Sequence, residues 1–186
     1  MSITCRLYRP ADAEQVNDLA HRVFNLAPFS AEVWQRMESG DHFTVVAADD
    51  ERIVGAIPFD LRTFLLRPDV SIRTAFAHMV CVDEAYRNRG IGSRLMSLAK
   101  EHLLQFCQAM FVYTGGEGKP PYTFYEKNGF VDLHYSRFYT LNAPNAVAPD
   151  DVQVQPFDPA LIGEEALNAA YQRAYPRQAG FPSHYP

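Results

Sequence analysis

The residues Arg87-Asn88-Arg89-Gly90-Ile91-Gly92-Ser93 combine types suited to one task, the binding of a phosphate or pyrophosphate. They follow an apolar, β-branched run from Phe76 to Val82 and precede an amphipathic run that reaches Phe106. A strand thus enters a turn, and the turn opens a helix. The first N–H groups of a helix lack intrahelical acceptors, and the macrodipole places positive charge at the same end. Such an end binds anions. Glycine lets the backbone approach a ligand closely and take turn angles that a Cβ forbids. Two other phosphate loops are excluded by spacing. A P-loop requires Gly-Lys-Ser/Thr, whereas Gly92 is followed by Ser93-Arg94. The dinucleotide fingerprint requires a third small residue where Leu95 stands, and an acidic residue well downstream, where the next strand ends Val112-Tyr113-Thr114.

His78 lies just upstream of this turn. It precedes Val80 and Val82 by even steps, so an unbulged strand turns all three side chains to one face. An imidazole with an ordinary pKa near about 6.5 can take a proton from an ammonium group, directly or through water. A structural histidine remains the alternative. Cys81 is the neighbouring nucleophile, but alternation turns it away from His78, and strand cysteines behave as small core residues. The six histidines do not pair at ligand spacing with cysteines or carboxylates, so no metal is expected.

The elements that must hold these residues can be read coarsely. Ile3–Tyr8 reads as a strand; Arg9-Pro10-Ala11-Asp12 opens a helix to about Val23 with Val16, Leu19, Ala20 and Val23 on one face. A loop at 25–30 and a short helix over 31–37 follow. Phe43–Ala48 and Ile53–Ile57, joined by Asp49-Asp50-Glu51, form a hairpin. Residues 58–75, interrupted by Pro58 and Pro68, are ambiguous between a long bent strand pair and irregular chain. Helix 91–106 has Ile91, Leu95, Leu98, Leu103 and Phe106 as its buried stripe, with Arg94, Lys100, Glu101 and Gln105 outward. A strand at 109–114, a short helix near 121–128 and a strand at 131–141 complete a mixed α/β sandwich.

Composition sets the class. At 186 residues and 47% hydrophobic, the chain can bury a sizeable single core. The net charge of −5 and the lack of a basic block argue against nucleic-acid binding. No apolar run approaches a membrane span, and no signal-peptide segment is evident. Three cysteines, Cys5, Cys81 and Cys107, read as reduced core thiols of a cytoplasmic protein.

A second motif, Phe124-Tyr125-Glu126-Lys127-Asn128-Gly129-Phe130, lies one strand beyond the turn. Arg-x-x-Gly-x-Gly at a helix start, followed by Phe-Tyr-Glu-Lys-x-Gly-Phe, resembles the GNAT superfamily of acetyl-CoA-dependent N-acetyltransferases over residues 3–141. The resemblance implies an α+β fold with a mixed, mostly antiparallel sheet flanked by helices, and acetyl-CoA as cosubstrate. It implies that the backbone of Val80 and Val82 pairs with the pantetheine arm, with the Val80 N–H as oxyanion donor. The pyrophosphate then falls on the amides of Asn88, Arg89, Gly90, Gly92 and Ser93, with Arg87 at the first loop position. Tyr125 is implied as general acid: its ordinary pKa of about 10 keeps it protonated beside a thiol of about 8.5. A histidine at the place of His78 resembles the arrangement in arylalkylamine (serotonin) N-acetyltransferases and makes it the candidate general base. Phe76 stands where protein-acetylating relatives often carry a glutamate, which weakens a mechanism of that kind. Gly118 stands where the family often has an asparagine, so pantetheine contacts from that segment are in doubt. The resulting expectation is transfer of acetyl to a primary amine of a small molecule or peptide by direct attack. The alternatives are a catalytically silent acyl-CoA-binding or regulatory domain, or one half of a larger two-domain acetyltransferase.

Domain organisation is expected as a catalytic unit over 1–141, a Pro-punctuated linker over 142–151, and an extension over 152–186. The strand, proline and helix of 152–175 weakly echo residues 3–23, so the extension reads either as a packed tail or as the start of a truncated repeat. Leu167, Ala170, Tyr171, Ala174 and Tyr175 recur at helical spacing and need a surface to cover, on this domain or on a second copy in a homodimer.

Overall fold

The computed structural model describes residues 3–25, 40–67, 69–114 and 118–132, with eight further positions between 163 and 182. Among the described residues, seven strands form one sheet: β1 (Ile3–Leu7), β2 (His42–Asp49), β3 (Arg52–Arg67), β4 (Val70–Ala77), β5 (Cys81–Val82), β6 (Ala109–Val112) and β7 (Phe181–Pro182). The order is β1-β2-β3-β4-β6, with β5 and β7 both pairing β3. Every pairing is antiparallel except β4 with β6, which is parallel. Among the described residues, the helices α1 (Ala13–Phe24), α2 (Ile91–Leu103) and α3 (Pro120–Lys127) accompany the sheet. The expected fold class holds.

Each sheet face carries its own core. Val16 and Leu19 of α1 pack with Val46, Ala48, Ile53, Ala56 and Cys81. On the other face Ile91, Leu95, Met96, Ala99 and Leu103 of α2 pack with Ile57, Phe59, Ala75, Ala77 and Tyr125. Side chains such as Phe59 and Leu95 are fully buried, and each contributes about 1.5–3 kcal/mol over exposure. The stripe expected on α2 needs correction. Met96 and Ala99 are core, whereas Phe106 is 41% exposed and lies beyond the helix end. A straight helix repeats its inner face at about every fourth residue, 91-95-99-103, and that register misses Phe106. Lys100 is half-buried rather than outward, its ammonium bonded to the carbonyl of Asn128.

The ambiguous segment resolves into a strand. β3 runs through Pro58, which pairs with Thr44. The Pro58 carbonyl accepts from His78 N–H at 3.1 Å, so the donor that proline lacks faces the motif strand. There the strand is irregular. Ala77 pairs with Phe59 and Cys81 with Ala56, so residues 78, 79 and 80 oppose only 57 and 58. One residue is extra, a β-bulge. Met79 takes a φ of 47°, a left-handed conformation that costs a bulky residue roughly 1–2 kcal/mol.

The bulge overturns the expected alternation. Ala77 belongs to the core under α2 and Cys81 to the core under α1. Val80 and Val82 pack toward α2, whereas His78 bonds to Asp60 on the α1 side of the sheet. His78 therefore does not share a face with Val80 and Val82; it shares one with Cys81. The helix expected at 31–37, the strand expected at 131–141 beyond Asp132, and the linker lie outside the described residues, and Val131 and Asp132 themselves are not in a strand. Of the extension, Glu165, Ala166, Ala169, Ala170 and Arg173 are helical and exposed. Phe181 and Pro182 pair with Leu65 and Phe64 of β3.

Candidate functional site

The turn expected to hold a phosphate is built on Asp83. Its Oδ1 accepts from Ala85 N–H at 3.1 Å and so caps the 3₁₀ turn Glu84–Tyr86. Its Oδ2 pairs with Arg52 at 2.9 Å and Arg22 at 3.4 Å. The Tyr86 ring lies beneath the guanidinium groups of Arg52 and Arg89, and its hydroxyl donates to Asp49 at 2.9 Å. Arg87 Nε donates to Val82 O at 3.2 Å, and Arg89 Nη2 to Ala85 O at 2.9 Å. Both arginines brace the turn while remaining exposed.

Braced this way, the backbone alternates hand. Asn88 has φ 61° and Gly90 φ 72°, and Gly90 caps α2 with no side-chain hydrogen bond. The first bond at that helix end is Arg94 N–H to Gly90 O at 3.1 Å. Among the described residues, the N–H groups of 88–93 make no backbone hydrogen bond. Asn88, Arg89, Gly90, Gly92 and Ser93 thus present free amides on one turn. The donor set suits a pyrophosphate: several N–H groups, a helix N-terminus, and three nearby arginines, Arg87, Arg89 and Arg94.

Gly92 has a second role. A Cβ there would sit 3.0 Å from Phe124 Cε2, so α3 packs directly on the phosphate helix. Asn128 Nδ2 reaches Ser93 Oγ at 3.3 Å, and Lys100 lies over the Phe130 ring at 5.4 Å. Gly129 ends α3 with φ 79°, as its position after the helix requires. These contacts hold Tyr125 relative to the turn. Tyr125 is 9% exposed, edge-on to Phe124 and Phe130, and burial pushes its phenol up to about 12. Glu126 and Lys127 are exposed, as expected. An open surface groove of about 440 Å³ lies along α3, lined by Gly118, Pro120, Thr123, Phe124 and Lys127.

Between turn and bulge the sheet splits. β4 and β6 pair from Thr74–Ala109 to Ala77–Val112, and beyond that β5 pairs β3 alone. Asp83 N–H bonds Val54 O, so alternation turns the N–H and C=O of Val80 and Val82 toward the open side. The Val82 carbonyl already accepts from Arg87; the Val80 N–H makes no backbone hydrogen bond among the described residues. An extended arm can add here as a strand.

On the face opposite Tyr125 sits a charged cluster that the sequence reading missed. His78 Nε2 lies 3.1 Å from Asp60 Oδ1, and Arg62 Nη2 lies 2.8 Å from Asp60 Oδ2. His42 Nδ1 lies 2.9 Å from Oδ1 but makes no hydrogen bond. Burial raises the Asp60 carboxyl, yet hydrogen bonding and charge from His78, then Arg62, outweigh it and hold it at about 2. Arg62 also stacks over Phe76, whose ring meets the exposed Tyr113 edge-on at 5.3 Å. The one available signal was an aspartate between Phe59 and Leu61 in an apolar strand. Cys81 is 3% exposed, and burial pushes its thiol up to about 12, which disfavours the thiolate. Among the described residues no group of side chains could hold a metal ion, and no helix is long and apolar enough to cross a membrane.

Comparison with known proteins accords with this geometry. Residues 6–130 match the acetyltransferase (GNAT) family. The chain belongs to that family. No curated protein matches it. Among solved structures, an acetyltransferase from Trypanosoma brucei is 22% identical with a TM-score of 0.59, over 75% of this chain and all of that one. The aminoglycoside acetyltransferase AAC(6')-Iy, in complex with a bisubstrate analogue of CoA and acetylneamine, is 17% identical with a TM-score of 0.64, over 77% of this chain and all of that one. An aminoglycoside acetyltransferase from an uncultured soil metagenomic sample, in complex with sisomicin, is 19% identical with a TM-score of 0.60, over 75% of this chain and 97% of that one. At these identities the likeness is one of fold.

Proposed function

We propose that this chain transfers acetyl from acetyl-CoA to a primary amine of a small molecule or peptide, by direct attack of the amine on the thioester. The observation that carries the reading is the split beside the Met79 bulge, with His78 on one sheet face and Tyr125 on the other. A thioester seated in that split has the attacking amine on the His78 side and the departing sulfur on the Tyr125 side. The free amides of 88–93, with Arg87 and its neighbours, hold the pyrophosphate, and the open edge of Val80 and Val82 holds the pantetheine arm.

The chemistry follows from these positions. His78 takes a proton from the substrate ammonium, and the neutral nitrogen attacks the carbonyl carbon. The C–N bond forms, negative charge moves to the carbonyl oxygen, and the Val80 N–H stabilises it. One such donor in a dry site is worth roughly 10²–10³ in rate. The intermediate loses its second amine proton to water as the C–S bond breaks. With its phenol at about 12, Tyr125 sits roughly 3–4 units above a thiol, so full transfer to thiolate is uphill by about 5 kcal/mol. The hydroxyl therefore works first as a hydrogen-bond donor to the developing thiolate. The burial of Cys81, whose thiol bonds the Ala56 carbonyl, supports direct attack over a covalent route through it.

The test is a panel of phenethylamine, sisomicin, free lysine and a lysine peptide, read by thiol release from acetyl-CoA. At least one amine is expected to be acetylated, with His78→Ala lowering kcat roughly 10²–10⁴-fold. Mass spectrometry after acetyl-CoA alone is expected to show no acetyl-enzyme. Binding of acetyl-CoA without turnover of any amine would favour a silent cofactor-binding domain. The divisions 1–141, 142–151 and 152–186 stand as part of this proposal. The pairing of Phe181–Pro182 with β3 supports a tail returning to its own domain. Location in the cytoplasm belongs to the same proposal, supported by three unpaired thiols.

A further inference from the structure

We propose that Asp60 is a positioning residue for His78, fixing which imidazole nitrogen is free to accept a proton. The inference rests on the reading of His78 as general base. It starts from a cost: a carboxylate on a central strand between the buried Phe59 and Leu61 is unfavourable unless partnered. Asp60 divides its partners by oxygen. Oδ2 takes the Arg62 guanidinium at 2.8 Å, and Oδ1 takes His78 Nε2 at 3.1 Å.

Charge then settles the tautomer. Arginine is protonated at every accessible pH, so Arg62 keeps Asp60 ionised, and an ionised carboxylate only accepts hydrogen bonds. The nitrogen facing it must carry the hydrogen. That nitrogen is Nε2, which leaves Nδ1 with the lone pair. His42 Nδ1, the other imidazole nitrogen beside Asp60, lies 2.9 Å from the same Oδ1 but makes no hydrogen bond to it, so the directed bond to Oδ1 is that of His78. During turnover an N–H bond of the ammonium breaks and Nδ1–H forms. Asp60 stays ionised beside the imidazolium, and the proton later leaves Nδ1 to water. Arg62 is itself held over the Phe76 ring at 5.7 Å. Phe76 thus supports the arginine that holds Asp60.

The experiment is ¹⁵N NMR of the histidine-labelled full chain at about pH 8, above the ordinary imidazole range near 6.5. The His78 signal is assigned by its loss in His78→Gln. Expected is a protonated Nε2 and an unprotonated Nδ1. In Asp60→Asn the amide can donate to Nε2, so the opposite tautomer gains population. With the amine turned over in the panel above, Asp60→Asn is expected to lower kcat roughly 10–100-fold. KM for acetyl-CoA is expected to stay within about twofold, because the described contacts of Asp60 are to Arg62, His78 and His42 and not to the groups proposed to hold the cofactor. A wild-type His78 carrying its hydrogen on Nδ1 overturns the proposal, even if Asp60→Asn does not fold. So does an Asp60→Asn variant with unchanged tautomer and kcat. A His78→Ala variant with full activity would instead overturn the base assignment, whatever the tautomer.

Discussion

Replacing Gly90 with glutamate tests the phosphate turn most sharply, because the structure separates its effect on fold from its effect on binding. A Cβ at Gly90 meets nothing within 4 Å, so the side chain itself fits. The backbone is the constraint: at φ +72° an L-residue is strained by roughly 1–2 kcal/mol. Loss of glycine's unfolded-state freedom returns about 0.4–1 kcal/mol. The net cost is about 1 kcal/mol, or roughly 2–4 °C in Tm for a chain of this size. Binding should respond far more. Wild type in acetyl-CoA at a hundred times Kd gains about 2.7 kcal/mol of stability. A carboxylate placed beside a pyrophosphate on the same amides opposes it by roughly 1–3 kcal/mol at surface dielectric, less at high salt. Thermal unfolding with and without acetyl-CoA, with calorimetric titration at two salt concentrations, reads both terms. A Gly90→Glu protein with the wild-type acetyl-CoA shift refutes the assignment of this turn. Gly92 is a poorer site for the test. Its Cβ position is 3.0 Å from Phe124, so a bulky residue there moves α3 and Tyr125 as well.

Three further outcomes are expected. Tyr125→Phe should leave the acetyl-CoA Kd unchanged by calorimetry and lower kcat roughly 10–100-fold, the value of a hydrogen bond to a developing charge; wild-type turnover would remove Tyr125 from the mechanism. Asp60 is held at about 2 against an ordinary 3.8, so the unfolded chain takes up the proton first as pH falls. Its stabilisation is complete above about pH 4 and is lost between about 4 and 2, amounting to about 1–2 kcal/mol after solvent screening; denaturant melts of wild type and Asp60→Asn across that window should converge at low pH. Deleting residues 142–186 removes the strand that pairs with Phe64 and Leu65, and should lower Tm or change the oligomeric state by light scattering. A truncated protein of equal stability and unchanged stoichiometry would mark the tail as dispensable.

The chain itself determines the phosphate turn and the two helices beside it. Strand, Gly-x-Gly and amphipathic run are adjacent in sequence, and the properties that matter are local: free amides at a helix start, positive φ at Gly90, and a Gly129 stop after Tyr125. Residues 76–130 alone thus suffice to place the turn proposed for the cofactor. The acceptor end is different. Whether His78 shares a face with Val80 depends on how many residues of β3 oppose the motif strand, and the count of three against two exists only once the strands are paired. Alternation extrapolated from one strand gives the wrong face past a bulge, because a single extra residue reverses every later side chain. Asp60 lies eighteen residues before His78, in a stretch that Pro58 made unreadable as a strand. It meets the imidazole only because antiparallel pairing puts Asp60 opposite Phe76, beside the bulge. Tertiary structure thus decided which carboxylate meets His78, and the proposed tautomer and side of amine approach depend on it. These are relations between strands, and a local pattern does not carry them.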